Sequence, residues 1–306
     1  VKLHHVMIKT LIFSSICKPK KILEQTIPSW VENANIQNAD ILLYDDNVSK
    51  ESSTFLRTFS NKSSFKVEGN WVNKNDTYNN HAWRVNQVDH IIGIKNKAIQ
   101  YALKHNYDYL FLVDADLVLN PNTLQHLIGL KKDFVFELFW TVFTDQTFAK
   151  PNCWDVHSWQ YLNKETILQL KEPGTYPVNA GGACTLLSKK ALKIGLDFTR
   201  LKNLPYGGED RHFCTRAEAL GIDIFIDTHY PAYHIFSTNM VKEAKQWVKN
   251  GCSPNFFKSW LGNSWYNAIS QMFIQQQKKV PRNKFEKLKI ALYKGKRAFV
   301  NYMRYN

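Results

Sequence analysis

The run Tyr109-Leu-Phe-Leu-Val113 followed by Asp114-Ala115-Asp116 carries the clearest chemistry in the sequence. An apolar segment delivers two acids, two residues apart, at its end. On an extended chain such side chains share a side. Two hard oxygen ligands beside a turn suit Mg²⁺ or Mn²⁺ holding a diphosphate, with phosphate and water as the remaining ligands. The same pair also serves simply to end a buried strand and solvate the turn before Asn120. The motif therefore needs companions.

Two companions follow. In Tyr206-Gly207-Gly208-Glu209-Asp210-Arg211 the glycines let backbone approach a ligand. Glu209 and Asp210 then open a helix, whose positive end favours carboxylates. Taken alone, this is also just a helix start after a glycine turn. In Asp227-Thr-His229-Tyr-Pro-Ala-Tyr-His234 two imidazoles follow a strand. Either suits Mn²⁺, and either also serves as a hydrogen-bonded structural residue. Trp154, Trp159, Tyr176 and Tyr206 lie among prolines and glycines, where their rings either stack on sugars or fill a core.

The elements that must position these residues read as alternating strands and helices. Strands are expected at 9–16, 40–44, 65–68, 109–113 and 134–139. Helices are expected at 18–33, 49–59 and 85–105, with another opening at Asn120-Pro121, Asn as N-cap and Pro first. Residues 70–80 read as a loop. Alternation of this kind means βαβ units and a mostly parallel sheet. In such sheets ligands bind beyond the carboxyl ends of the strands, which is where Asp114 and Asp116 fall. After residue 145 the pattern is irregular, with strands expected at 184–187 and 222–226. Helices are expected at 189–194, 210–220, 239–249 and 255–276. The organisation expected is one α/β catalytic domain over 1–251, with one half to about 120 and the other over 121–251. A helical, basic extension over 252–306 follows.

The chain has 306 residues, 40 Lys and Arg against 26 Asp and Glu, and 44% hydrophobic residues, which excludes a disordered or fibrous protein. No apolar stretch reaches the roughly 18 residues of a membrane span, and no secretory signal is visible. Five cysteines without a Cys-x-x-Cys pair argue against a zinc or disulfide framework and for a reducing compartment. The net charge of +14 concentrates over 278–304, where basic residues interleave with apolar ones. That stretch reads either as an amphipathic helix for an anionic surface or as a solvated helix packed on the domain.

The order of the motifs resembles that of nucleotide-sugar-dependent glycosyltransferases of the GT-A fold, closest to the large family 2 group, over about residues 7–236. Leu43-Tyr44-Asp45-Asp46-Asn47 is similar to that group's second-strand motif, and Gly93-Ile-Lys95-Asn96-Lys97-Ala98 to the helix before its metal strand. The resemblance implies a Rossmann-like sheet flanked by helices and a nucleotide-sugar donor, a UDP-sugar foremost. It implies that Ser14, Asp46, Lys97, Asp114, Ala115, Gly181 and Gly182 line the donor site. Asp116 and His234, with Asp114, would hold Mn²⁺ or Mg²⁺. Asp210, with Glu209 beside it, would be the catalytic base of an inverting transfer. Trp154 and Tyr206 would face a saccharide or lipid-linked glycan acceptor.

Glycosyl transfer needs a cation for the departing diphosphate and a base for the acceptor hydroxyl, and the motifs supply both. A cytoplasmic location and peripheral membrane contact through 278–304 are expected as well. A retaining transferase, with Glu209 and Asp210 only orienting the acceptor, is the alternative, as is another metal-dependent enzyme of nucleotides or phosphates. A non-enzymatic nucleic-acid binder is disfavoured, because outside 278–304 the basic residues are dispersed; no nucleic-acid partner is expected.

Overall fold

The computed structural model describes residues 8–59, 64–69, 85–142, 149–154, 168–204 and 208–260. Trp159, Tyr206, Gly207, the loop expected at 70–80 and the basic stretch 278–304 lie outside these residues, as does most of the helix expected at 255–276.

From the amino terminus, β1 (Thr10–Ile16), α1 (Lys20–Gln37), β2 (Asp40–Asp45), α2 (Lys50–Arg57), β3 (Phe65–Gly69), α3 (Val85–Lys104) and β4 (Tyr109–Val113) repeat the strand–helix unit. Next come β5 (Leu117–Val118), α4 (Thr123–Gly129), β6 (Phe134–Val142), β7 (Ala149–Pro151), β8 (Cys153–Trp154), β9 (Thr175–Pro177) and β10 (Ala180–Gly181). The described chain closes with β11 (Cys184–Ser188), α5 (Lys189–Lys193), α6 (Glu209–Ala219), β12 (Phe225–His234), α7 (Val241–Lys249) and α8 (Asn255–Trp260).

The main sheet runs β3-β2-β1-β4-β11-β6-β12-β5. Strands β3, β2, β1, β4, β6 and β12 share one direction. Strand β11 is inserted the other way between β4 and β6. Its reversal has a use: the chain reaches β11 from the carboxyl edge of the sheet, so the Gly181-Gly182 turn lands beside Asp114. The amide of Asp114 donates to the Ala183 carbonyl at 2.8 Å. Ala183 holds φ at +72°, a left-handed conformation that costs a non-glycine residue about 1 kcal/mol.

Each face of the sheet carries its own apolar cluster. Val88, Ile99 and Phe213 belong to one, Leu23, Ile27, Trp30 and Leu124 to the other. Central strands buried on both faces explain why β1 and β4 read as continuous apolar runs. Ser49 caps α2 by accepting from the Ser52 amide at 3.4 Å.

Two differences from the sequence reading bear on the site. The helix expected to open on Asn120-Pro121 begins at Thr123. Asn120 instead forms a local turn, its Oδ1 accepting from the Asn122 amide at 3.0 Å, while Asn33 Oδ1 takes the Leu124 amide at 2.9 Å. The late strand expected at 222–226 runs over Phe225–His234, because it finds successive partners in β9, β6 and β5. His234 therefore closes a strand rather than following one.

Candidate active site

At the carboxyl edge of β1, β2 and β4 lies a cavity of about 400 Å³, within the usual range for small-molecule sites. Ser14, Asp46, Asp114, Ala115, Gly182 and Trp154 line it together with Asp116, Glu209, Asp210 and His234. Residues from seven separate segments of the chain thus meet in one hollow.

On one wall, His234 Nε2 stands 3.3 Å from Asp116 Oδ2, and the Lys18 ammonium is 2.6 Å from the same oxygen. Register fixes the first pair: His234 is the partner of Leu117 on β5, one residue beyond Asp116, and the Ile235 amide donates to the Asp116 carbonyl at 2.8 Å. Burial alone would raise the Asp116 carboxyl. Lys18 and His234 override it and hold the group far below the ordinary carboxylate range. Thr141 Oγ1 lies 2.9 Å from His234 Nδ1. With Nδ1 donating to Thr141, Nε2 would be left with a lone pair for a cation seated between it and Asp116. Neighbouring ligands of an octahedral ion at about 2.1 Å stand about 3 Å apart, close to the observed separation. The Asp116–His234 pair therefore fits a divalent cation.

Across the cavity, Lys95 reaches from α3 to the start of α6. Its ammonium is 2.9 Å from Glu209 Oε1 and 3.4 Å from Asp210 Oδ1. Burial works against the Lys95 charge, but Asp210, Glu209 and Asp114 together raise its pKa. Glu209 is pinned and nearly closed off, its side chain 8% exposed, while Asp210 keeps 23% open to the cavity. Burial, opposed by Lys95 and assisted by Glu209, pushes the Asp210 carboxyl up to about 6. Gly208, at φ +94°, makes the turn into α6. A methyl group on Gly182 would sit 2.6 Å from Asp210 Oδ2, so that glycine keeps the carboxylate's surroundings clear.

Asp114 projects between the two walls. Solvent reaches it through the cavity, yet protein surrounds it on the other sides. That enclosure, with Lys95 opposing and Asp116, Asp210 and Glu209 reinforcing, pushes its pKa up to about 7. Four carboxylates (Asp114, Asp116, Glu209, Asp210) thus face two ammonium groups (Lys18, Lys95), an imbalance a divalent cation would cancel. At the third side, Asp46 Oδ2 is 2.9 Å from His90 Nε2, with Ser14 buried nearby. Asp45, by contrast, is structural: Asn47 donates to it at 2.8 Å, and Ser53 and Arg57 hold its other oxygen.

Two expected residues, Lys97 and Gly181, stand differently. Lys97 is exposed and does not line the cavity. Two helical positions from Lys95, it lies on the opposite side of α3, and Lys95 occupies the place expected of it. Gly181 is buried under the Phe136 ring, which a Cβ would strike, so its small size serves core packing rather than ligand approach. His229 pairs with Asp227 at 3.0 Å and is not part of the cavity, leaving His234 as the imidazole beside Asp116. Lys18 and His90 were not anticipated. A lysine just past β1 and a histidine five residues before Lys95 on α3 were the available signals.

The sequence profile described as glycosyltransferase family 25, N-terminal domain, matches residues 30–205, more than half of the chain. The chain belongs to that family. It has the GT-A fold that the motif order implied; the matching profile carries the number 25 where the motifs look most like family 2. Among solved structures, GalNAc-T7 with UDP, GalNAc and Mn²⁺ aligns at a TM-score of 0.50 and 14% identity, over 75% of this chain and 44% of that one. S. aureus TarS 1-349 aligns at a TM-score of 0.44 and 14% identity over 74% of this chain and 60% of that one. The chain spans less than two thirds of the length of these structures, and the likeness is one of fold. No curated protein sequence matches it.

Proposed function

We propose that this glycosyltransferase moves a sugar from a UDP-sugar to a saccharide hydroxyl with inversion, dependent on a divalent cation, Mn²⁺ or Mg²⁺. The carrying observation is that Asp116 with His234 on one wall, and Asp210 held by Lys95 on the other, line the same cavity. A leaving diphosphate and an attacking hydroxyl need opposite sides of the anomeric carbon, and this arrangement offers both.

Asp116 and His234, with Asp114, would hold the cation, which supplies Lewis-acid neutralisation of the departing diphosphate. The Lys18 ammonium, 2.6 Å from Asp116, adds a positive charge at the same wall. Asp46, Ser14 and His90 take the nucleoside end. Asp210 accepts the acceptor's proton as its oxygen attacks, and a carboxyl near 6 is ionised yet still basic at neutral pH. Lys95 orients that carboxylate. Glu209 acts through Lys95 and touches no reacting atom. Gly182 admits the transferred sugar beside Asp210. Trp154 offers a ring face to the sugar or acceptor.

A lipid-linked glycan acceptor, peripheral membrane contact through 278–304 and a cytoplasmic location belong to the same reading. Among the described residues no helix is long and apolar enough to cross a membrane. The test is a panel of sugar nucleotides with Mn²⁺, scored by thermal shift and then by slow donor hydrolysis. One UDP-sugar should stabilise the protein and be hydrolysed only with metal present. No shift with any member of the panel would refute the reading.

A further inference from the structure

Outside the cavity, α4 and β12 bring together a second set of ligand-type side chains. His126 Nε2 lies 3.2 Å from Asp227 Oδ1, and His229 Nδ1 lies 3.0 Å from Asp227 Oδ2. One ligand atom from each of the three falls within 4.8 Å of the others. None of the three lines the sugar-nucleotide cavity. Ligands of a tetrahedral ion at about 2.0–2.1 Å stand roughly 3.3 Å apart, so modest closure of the two imidazoles would complete the shell.

Hydrogen bonding among His126, Asp227 and His229 would by itself explain those distances. Glu137 is what it does not explain. Glu137 is the register partner of Asp227 across β6 and β12, and both are 0% exposed. Neither carboxylate oxygen of Glu137 makes a well-aligned hydrogen bond. The amides of Leu138 and Tyr230 and the Asp227 carboxyl lie near it. Two buried carboxyls side by side, one of them without a well-aligned donor, offer oxygen ligands that a cation would satisfy.

Asp227 is meanwhile held in place. Thr175 Oγ1 donates to its Oδ2 at 2.6 Å and the His229 amide to its Oδ1 at 3.0 Å, the outer support that metal-bound carboxylates commonly have. The imidazoles are 25% and 36% exposed, which leaves an entry path, while the two acids form a dry back wall.

We propose that His126, Asp227 and His229, with Glu137 behind them, form a binding site for one divalent transition-metal ion of the zinc class, separate from the donor cavity. Two imidazole nitrogens and carboxylate oxygens without thiolate suit Zn²⁺, Co²⁺ and Ni²⁺ better than Mg²⁺. With two ionised carboxylates and two neutral imidazoles, such an ion leaves the buried cluster with no net charge. It ties α4, which follows Asp116, to β12, which ends in His234. The role is therefore structural.

The full chain, stripped with a chelator, is titrated with Co²⁺ and Zn²⁺. We expect one tightly held equivalent with visible d–d absorption from Co²⁺, and a higher melting temperature with Zn²⁺. Asp116→Ala should keep both, which separates this site from the donor cation. His126→Ala and His229→Ala should each weaken binding at least tenfold, and Glu137→Gln should weaken it less. His229 is exposed enough that its loss should leave the fold intact by circular dichroism. Absence of the Co²⁺ band in Asp116→Ala, or unchanged Zn²⁺ affinity in His229→Ala, would overturn the proposal.

Discussion

Replacing Asp210 by Asn should slow turnover and stabilise the protein at the same time. The carboxyl lies in the folded chain at about 6 against an ordinary value near 3.9. Above pH 6 the folded state therefore holds it ionised at a cost of up to about 3 kcal/mol relative to the unfolded chain. The sign follows from the proton's preference. A carboxyl raised by folding is protonated in both states below about 4 and contributes nothing there. The cost enters as pH rises through the interval to 6 and is complete above it. The asparagine variant carries no such cost, and Lys95 keeps Glu209 at 2.9 Å as its partner.

Wild type and Asp210→Asn should thus melt alike near pH 4 and separate by a few degrees by pH 8, the variant higher. Turnover should fall by about 10²–10⁴, and donor affinity should hold. In the wild type kcat/KM should decline as pH drops through about 6, the base being lost to protonation. Paired thermal melts over the pH series, with initial-rate assays on the identified donor, measure both. A variant that turns over normally, or that melts lower than wild type at pH 8, would refute the reasoning.

Lys95→Met should destabilise the protein by about 3–5 kcal/mol in urea denaturation, because it leaves the partly enclosed Glu209 and Asp210 facing each other without a cation. Gly182→Ala and Gly181→Ala should fail in different ways. The first puts a methyl group 2.6 Å from Asp210 Oδ2 and should cut kcat by about 10²-fold with little change in melting. The second drives a methyl group into the buried Phe136 ring and should cost about 1–3 kcal/mol of stability, read by the same denaturation.

The frame was legible because its signals are local. A continuous apolar run such as Leu110–Val113, followed by a turn, reads as a central strand, and the periodic Ile22, Leu23, Ile27 and Trp30 read as a buried helix stripe. The carboxyl-edge rule then brings Asp46 and Asp114 to one place, and the cavity holds both. What sequence could not supply was contact between distant segments. Nothing near Lys95 in the chain says that its ammonium meets α6, 114 residues on, and the resemblance pointed to Lys97, two positions along the same helix. The reversed course of β11 is equally invisible in its own residues, since a buried strand reads the same in either direction. Gly181 and Gly182 looked equivalent as a pair. Only the neighbours, Phe136 for one and Asp210 for the other, tell packing from chemistry.

The account rests on Asp116 and His234 gripping a cation that in turn holds the donor's diphosphate. Isothermal titration of UDP into the wild type and Asp116→Ala, each with and without Mn²⁺, addresses it most directly. Mn²⁺ should tighten UDP binding to the wild type by about tenfold or more, about 1.4 kcal/mol, and leave Asp116→Ala unaffected. Equal UDP affinity in the wild type with and without Mn²⁺ would contradict it.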